Sequence, residues 1–123
     1  MKAFAFATFV FSLHMHILYN VTVSLDPNAE QEWLSYMRTV HIPEVMATGT
    51  FLEARLSRLQ NEEDGGITYA ITYVAYSQAH LDQYAEQFAP ALQLDHSEKF
   101  NGRFAAFRTT LEVVEHFRYE GQS

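Results

Sequence analysis

The 123-residue chain has no cysteine, only three prolines and five glycines, and eight lysines and arginines against fifteen aspartates and glutamates. Lack of cysteine excludes disulfides, thiolate metal sites and a sulfur nucleophile, and leaves the redox compartment undetermined. A formal charge of -7 offers no basic stripe to displace counterions from a phosphate backbone, so neither nucleic acid nor an anionic membrane is an expected partner. Phosphate loops and nucleophile elbows are missing too. Gly65-Gly66 is not followed by Lys-Ser/Thr, and no serine stands between glycines at the required spacing. What the chain does have is a 48% apolar and 15% aromatic composition, enough for one core in a chain of single-domain length.

Lys2 and the apolar run Ala3 to Leu13 resemble the start of a secretory signal, but the run is too short to span a bilayer. No small-x-small cleavage site follows it; His14, Met15 and His16 do. Residues 1–16 are therefore read as an N-terminal extension, with Met15 as the natural start and a cytoplasmic location expected. The alternative is a signal-like segment and export.

From Ile17 to Leu25, apolar residues at 17, 19, 21, 23 and 25 alternate with mostly polar ones, the period of a half-buried strand. Asp26 is a candidate N-cap, Pro27 suits the first helical position, and Glu30 and Glu32 complement the helix dipole. Ala29, Trp33, Tyr36, Met37 and Val40 fall on one helical face. Pro43 is expected to end or kink this helix near His41, and Gly49 to stop the short turn that follows. A second strand runs from Phe51 to about Leu59, and Glu62 to Gly66 turns it into a third, Ile67 to Tyr76. Ser77 caps a second helix carrying Leu81, Tyr84, Ala85, Phe88 and Leu92, which Pro90 bends or ends. After the Asn101-Gly102 turn, Arg103 to Phe117 reads as a long final strand, with a flexible tail over 118–123.

This order predicts an α+β, ferredoxin-like βαββαβ fold over residues 17–117: a four-stranded antiparallel sheet with two helices on one face. The other face stays bare, and a second copy of the chain is the expected cover, giving a homodimer. Taking the first and last strands as the central pair, Asn20, Thr22 and Ser24 point to the bare face. Phe104, Ala106, Arg108, Thr110 and Glu112 are expected beside them, with Phe107, Leu111 and Val113 toward the helices. Glu53 and Arg55 join the bare face, whereas the phase of the third strand stays open between Thr68 and Thr72 and the alternating Tyr69 and Tyr73.

The motifs Y-N-V-T-V (Tyr19 to Val23), H-I-P-E-V (His41 to Val45), T-G-T-F-L (Thr48 to Leu52), G-G-I-T-Y (Gly65 to Tyr69) and F-A-A-F-R-T (Phe104 to Thr109) form a set. Together they resemble an uncharacterised bacterial domain-of-unknown-function family of short proteins in the dimeric α+β barrel superfamily. The resemblance covers about Met15 to Val114, and family members typically begin beside the residue matching Met15. It implies a fold and a dimer but no reaction, since relatives on this fold range from cofactor-free monooxygenases to haem-binding and structural dimers.

Candidate ligand-binding residues are Arg108, Arg55, Glu53, Asn20, Thr22 and Tyr69, a few polar anchors for a small anionic or carbonyl-bearing ligand inside the dimer barrel. The competing reading makes Arg108 with Glu53 or Glu112 an interfacial ion pair that fixes dimer register. His41 is the candidate general base, against the plainer role of capping a helix C-terminus. No metal is expected: His41 with Glu44, and His14 with His16, are incomplete ligand sets, and His80, His96 and His116 are scattered over helix start, loop and strand end. No cofactor is expected either, because the aromatic residues suit a thin two-layer core. Two functions follow. The preferred one is a non-catalytic module binding a small ligand or a protein. Its alternative is a cofactor-independent monooxygenase- or isomerase-like enzyme using Arg108, Tyr69 and His41.

Overall fold

The computed structural model describes residues 15–121, so the expectations for residues 1–14 lie outside the described residues. Strands β1 (Ile17–Leu25), β2 (Phe51–Arg58), β3 (Ile67–Ala75) and β4 (Phe104–Glu112) form one antiparallel sheet in the order β2-β3-β1-β4. The helices are α1 (Glu30–Tyr36), α2 (Ile42–Ala47), α3 (Gln78–Gln87) and α4 (Ala89–Lys99). The expected strand, helix, hairpin, helix, strand order is present, and the fold is α+β. Among the described residues no helix is long and apolar enough to cross a membrane.

β1 runs as its alternation dictates. Ile17, Tyr19, Val23 and Leu25 are buried, and their neighbours Tyr73, Tyr69, Phe104 and Ala106 across the ladders share their face. Trp33 of α1 packs on Tyr69, Tyr84 of α3 on Tyr19, and His96 of α4 on Phe104. The helices therefore cover this face. Full burial of an apolar side chain such as Ile71 or Phe100 stabilises the fold by roughly 1.5–3 kcal/mol. Both expected caps are present: the Asp26 carboxylate accepts from the Asn28 amide and the Ser77 hydroxyl from the His80 amide.

The first helix departs from expectation at Pro43. It does not end there: α1 passes through a π turn, Met37–His41, directly into α2, and Gly49 at φ +76° terminates the run beyond Thr48. In this turn the Ile42 amide bonds the Met37 carbonyl five residues back. Proline lacks an amide hydrogen and its ring crowds the carbonyl four residues earlier, so a turn widened just ahead of it lets the helix continue. The extra residue also shifts the helical phase. Val40, expected on the buried face, is 39% exposed, whereas His41 is 9% exposed and Val45 wholly buried.

Three further expectations are corrected. β4 is an edge strand that ends at Glu112, and the central pair is β1 and β3. β4 also has the opposite phase from the one expected. Arg108 stands opposite Val21, Ala106 opposite Val23 and Phe104 opposite Leu25, on the helix-covered face, while Phe107 and Leu111 oppose Thr22 and Leu18 on the bare one. Finally, the second helix does end early, at Gln87 ahead of Pro90, but a further helix that was not expected follows it. The chain breaks at Phe88 and restarts as α4 with Pro90 in its first turn, where a missing amide costs nothing. His96, expected in a loop, lies on that helix.

Candidate functional site

β4's phase moves the site from the bare face to the space between sheet and helices. A niche of about 40 Å³ lies there, its polar lining supplied by His41, Gln93, His96, Tyr19, Tyr84 and Arg108. Tyr19, Tyr84, Gln93 and Arg108 also line an adjoining open cleft of about 290 Å³, walled further by Leu81, Ala85, Ala89 and Pro90. The niche alone has room for a few atoms, since one water needs roughly 10–15 Å³ by the same measure.

Each polar side chain is placed by its element. The π turn rotates His41 inward, α4 carries His96 one turn before Phe100, and β4 sets Arg108 across from Val21. The rings of His41 and His96 lie 5.5 Å apart. The Trp33 indole donates to His96 Nε2 at 2.9 Å, and Arg108 Nε donates to the Tyr19 hydroxyl at 3.1 Å. His41 Nδ1 is buried and has no hydrogen-bond partner, an arrangement that native interiors rarely leave unexplained.

Burial pushes both imidazoles toward the neutral form. For His96 the ordinary value falls to about 4, with His41 and then Arg108 adding repulsion to the burial effect. His41 is lowered by burial, raised in part by the Asp95 carboxylate and lowered again by Arg108. At neutral pH the niche thus holds two uncharged imidazoles beside a guanidinium. The same burial raises the Tyr73 and Tyr84 hydroxyls, which stay protonated.

The six candidate ligand residues do not converge. Arg108 and Tyr69 face the helices, but Tyr69 lies apart from the niche, its hydroxyl donating to Glu30 Oε2 at 2.6 Å beside Arg58. Asn20, Thr22, Glu53 and Arg55 lie on the opposite face. There Thr72 donates to Asn20, Asn20 to Thr22, and Glu53 faces Arg55 at 3.6 Å with both side chains exposed. Within one chain Arg108 and Glu53 are thus on opposite faces, and the expected Arg108, Tyr69 and His41 cluster is replaced by Arg108, Tyr19, His41 and His96. Sequence reasoning passed over His96 and Trp33 as partners. The signal was available in Ala89, Leu92, His96 and Phe100, which keep helical spacing up to the Asn101-Gly102 stop. Among the described residues no group of three or more metal-ligating side chains is assembled.

Four antiparallel strands in this order, with helices on one face and a niche between the layers, define a ferredoxin-like protein. Residues 16–114 match the family described as a domain of unknown function, DUF4286, and the chain belongs to that family. No curated protein matches it. Among solved structures it is similar to a dimeric ferredoxin-like protein from an uncultured marine organism, with TM-score 0.66 and 13% identity over 85% of this chain and 99% of that one. It is also similar to a Bacillus cereus protein named as a candidate antibiotic biosynthesis monooxygenase, with TM-score 0.64 and 8% identity over 85% and 99%. A protein described as of the ethyl tert-butyl ether d (ethd) family from Bacillus halodurans aligns with TM-score 0.60 and 9% identity over 76% and 96%. At these identities the likeness concerns the fold.

Proposed function

We propose that this chain is a homodimeric module that binds a small molecule between its helices and its sheet without transforming it. The observation that carries the reading is the niche itself. It sets a guanidinium free of any carboxylate partner among the described residues beside a buried histidine nitrogen that the protein leaves unpaired. The dimer is supported by the bare sheet face, where Phe107 and Leu111 are 63% and 49% exposed, and by two similar structures described as dimeric.

A second reading, a cofactor-independent monooxygenase- or isomerase-like enzyme, is favoured by His41. A neutral, buried imidazole close to a cation is in the protonation state a general base needs, and one of the similar structures is named for monooxygenases. Native mass spectrometry of the protein from its own host, compared between Arg108→Leu and Arg38→Leu, tests the binding reading. The expected result is a dimer carrying a retained compound that is lost with Arg108→Leu and kept with Arg38→Leu. Equal retention in both variants removes Arg108 from the site, and turnover of the retained compound moves the choice to the enzyme.

A further inference from the structure

The hydrogen bonds around the niche restrict what can occupy it. Indole nitrogen is a donor only, so the 2.9 Å bond from Trp33 Nε1 makes His96 Nε2 the acceptor. A neutral imidazole with an unprotonated Nε2 carries its hydrogen on Nδ1. His96 therefore has no acceptor left to offer and presents an N–H. Arg108 is likewise donor only: Nε serves the Tyr19 hydroxyl, and the two Nη groups have no carboxylate among the described residues. Having accepted from Arg108, the Tyr19 hydroxyl keeps its own hydrogen to donate. No carboxylate lines the niche. The carboxylate that acts on His41 belongs to Asp95, which is exposed on α4 and outside the lining. Beyond the niche the cleft walls are Leu81, Ala85, Ala89 and Pro90, which suit an apolar body.

From this geometry we infer that the site takes a small monocarboxylic acid, its carboxylate on Arg108 and His96 and its apolar body in the outer cleft, with Trp33 as the positioning residue that fixes His96 as a donor. The inference rests on the small-ligand reading above and names the class of ligand. A carboxylate accepts hydrogen bonds and donates none, and so matches a niche in which donors dominate. An ammonium head there finds acceptors only in one His41 nitrogen, the Gln93 carbonyl and hydroxyl lone pairs, leaves the Arg108 hydrogens unpaired and places two cations together. An alcohol is intermediate.

Two measurements test it. Long-range proton–nitrogen NMR of the histidine rings at neutral pH is expected to show His96 with its hydrogen on Nδ1, and Trp33→Phe, which keeps an aromatic ring, to release it into a tautomer mixture. Observation of His96 with its hydrogen on Nε2, or no change in Trp33→Phe, overturns the positioning role. Titration with benzoate, benzyl alcohol and benzylamine, followed through the amides of Gln93, His96 and Arg108, compares heads on one body. Benzoate is expected to bind at least tenfold more tightly than benzylamine, and Arg108→Gln, on an exposed edge strand, to erase that preference. Equal or tighter binding of the amine or alcohol overturns the carboxylate class while leaving the site in place. If none of the three perturbs these amides, both the class and the small-ligand reading fall.

Discussion

The two faces of the sheet are built from the same four strands and differ in almost everything else. On the covered face Tyr19, Tyr69, Ile71 and Tyr73 are buried against Trp33, Tyr84 and Phe100, and the polar groups admitted there are paired one by one except for His41 Nδ1. The bare face carries hydroxyls and an amide in its centre, Asn20, Thr22, Thr68 and Thr72, and its large apolar groups at the β4 edge, Phe107 and Leu111. One face is thus a core with a chemical niche let into it. The other is a surface whose polar groups satisfy one another while its apolar edge is left uncovered. Under the proposed function, ligand binding and assembly fall on opposite sides of a single layer, so each is expected to be alterable without the other.

That division can be broken most severely at Trp33. Trp33→Ala removes a wholly buried indole and the donor to His96 together, and is expected to cost about 3–5 kcal/mol in urea denaturation. A loss below about 1 kcal/mol would mean that the covered face is far more plastic than its packing implies.

Acid provides the next largest effect. With His96 at about 4 in the fold against an ordinary value near 6.5, the unfolded chain binds more protons between these pH values. Stability therefore falls as pH drops from about 6.5 to about 4, by on the order of 2–3 kcal/mol from this residue, and His41 adds loss of the same sign. The groups bearing on the pair are Asp95 from α4 and Arg108 from β4. Denaturation midpoints at pH 7 and pH 4.5 check the slope, and His96→Gln should flatten it.

The smallest effect on folding is expected from the bare face. Phe107→Glu should change the unfolding free energy by no more than about 0.5 kcal/mol, as surface substitutions generally do, yet shift sedimentation from dimer toward monomer. An unchanged dimer would move the interface to another part of the surface.

Much of this arrangement was legible in the sequence because local rules and burial agree. β1 alternates with Leu18 as its one apolar exception and occupies the residues its pattern marks, and the Asp26 and Ser77 caps start their helices where their side chains can reach a free amide. β4 failed for a physical reason. Phe104 and Phe107 have opposite parity, so no single face can hold both. On an edge strand with little cover, apolar character does not decide which one turns inward. His41 was noticed for its place beside Pro43, but its burial was hidden because a period of 3.6 residues hands the face to Val40; only the widened turn gives it to the imidazole. His96 was hidden because the break ahead of Pro90 was expected and the helix that restarts there was not.

The π turn has an evolutionary corollary. It amounts to one residue more than a regular helix would use between Tyr36 and Ile42, so a single-codon deletion at Thr39 or Val40 would restore an ordinary spiral. In such a descendant the imidazole would take the place that Val40 has in a regular spiral and so keep the buried face, while the sheet and its bare face kept their sequence. Placement of the imidazole is therefore set by chain length and turn width together, since the same residues wound as a regular spiral would hand the face back to Val40.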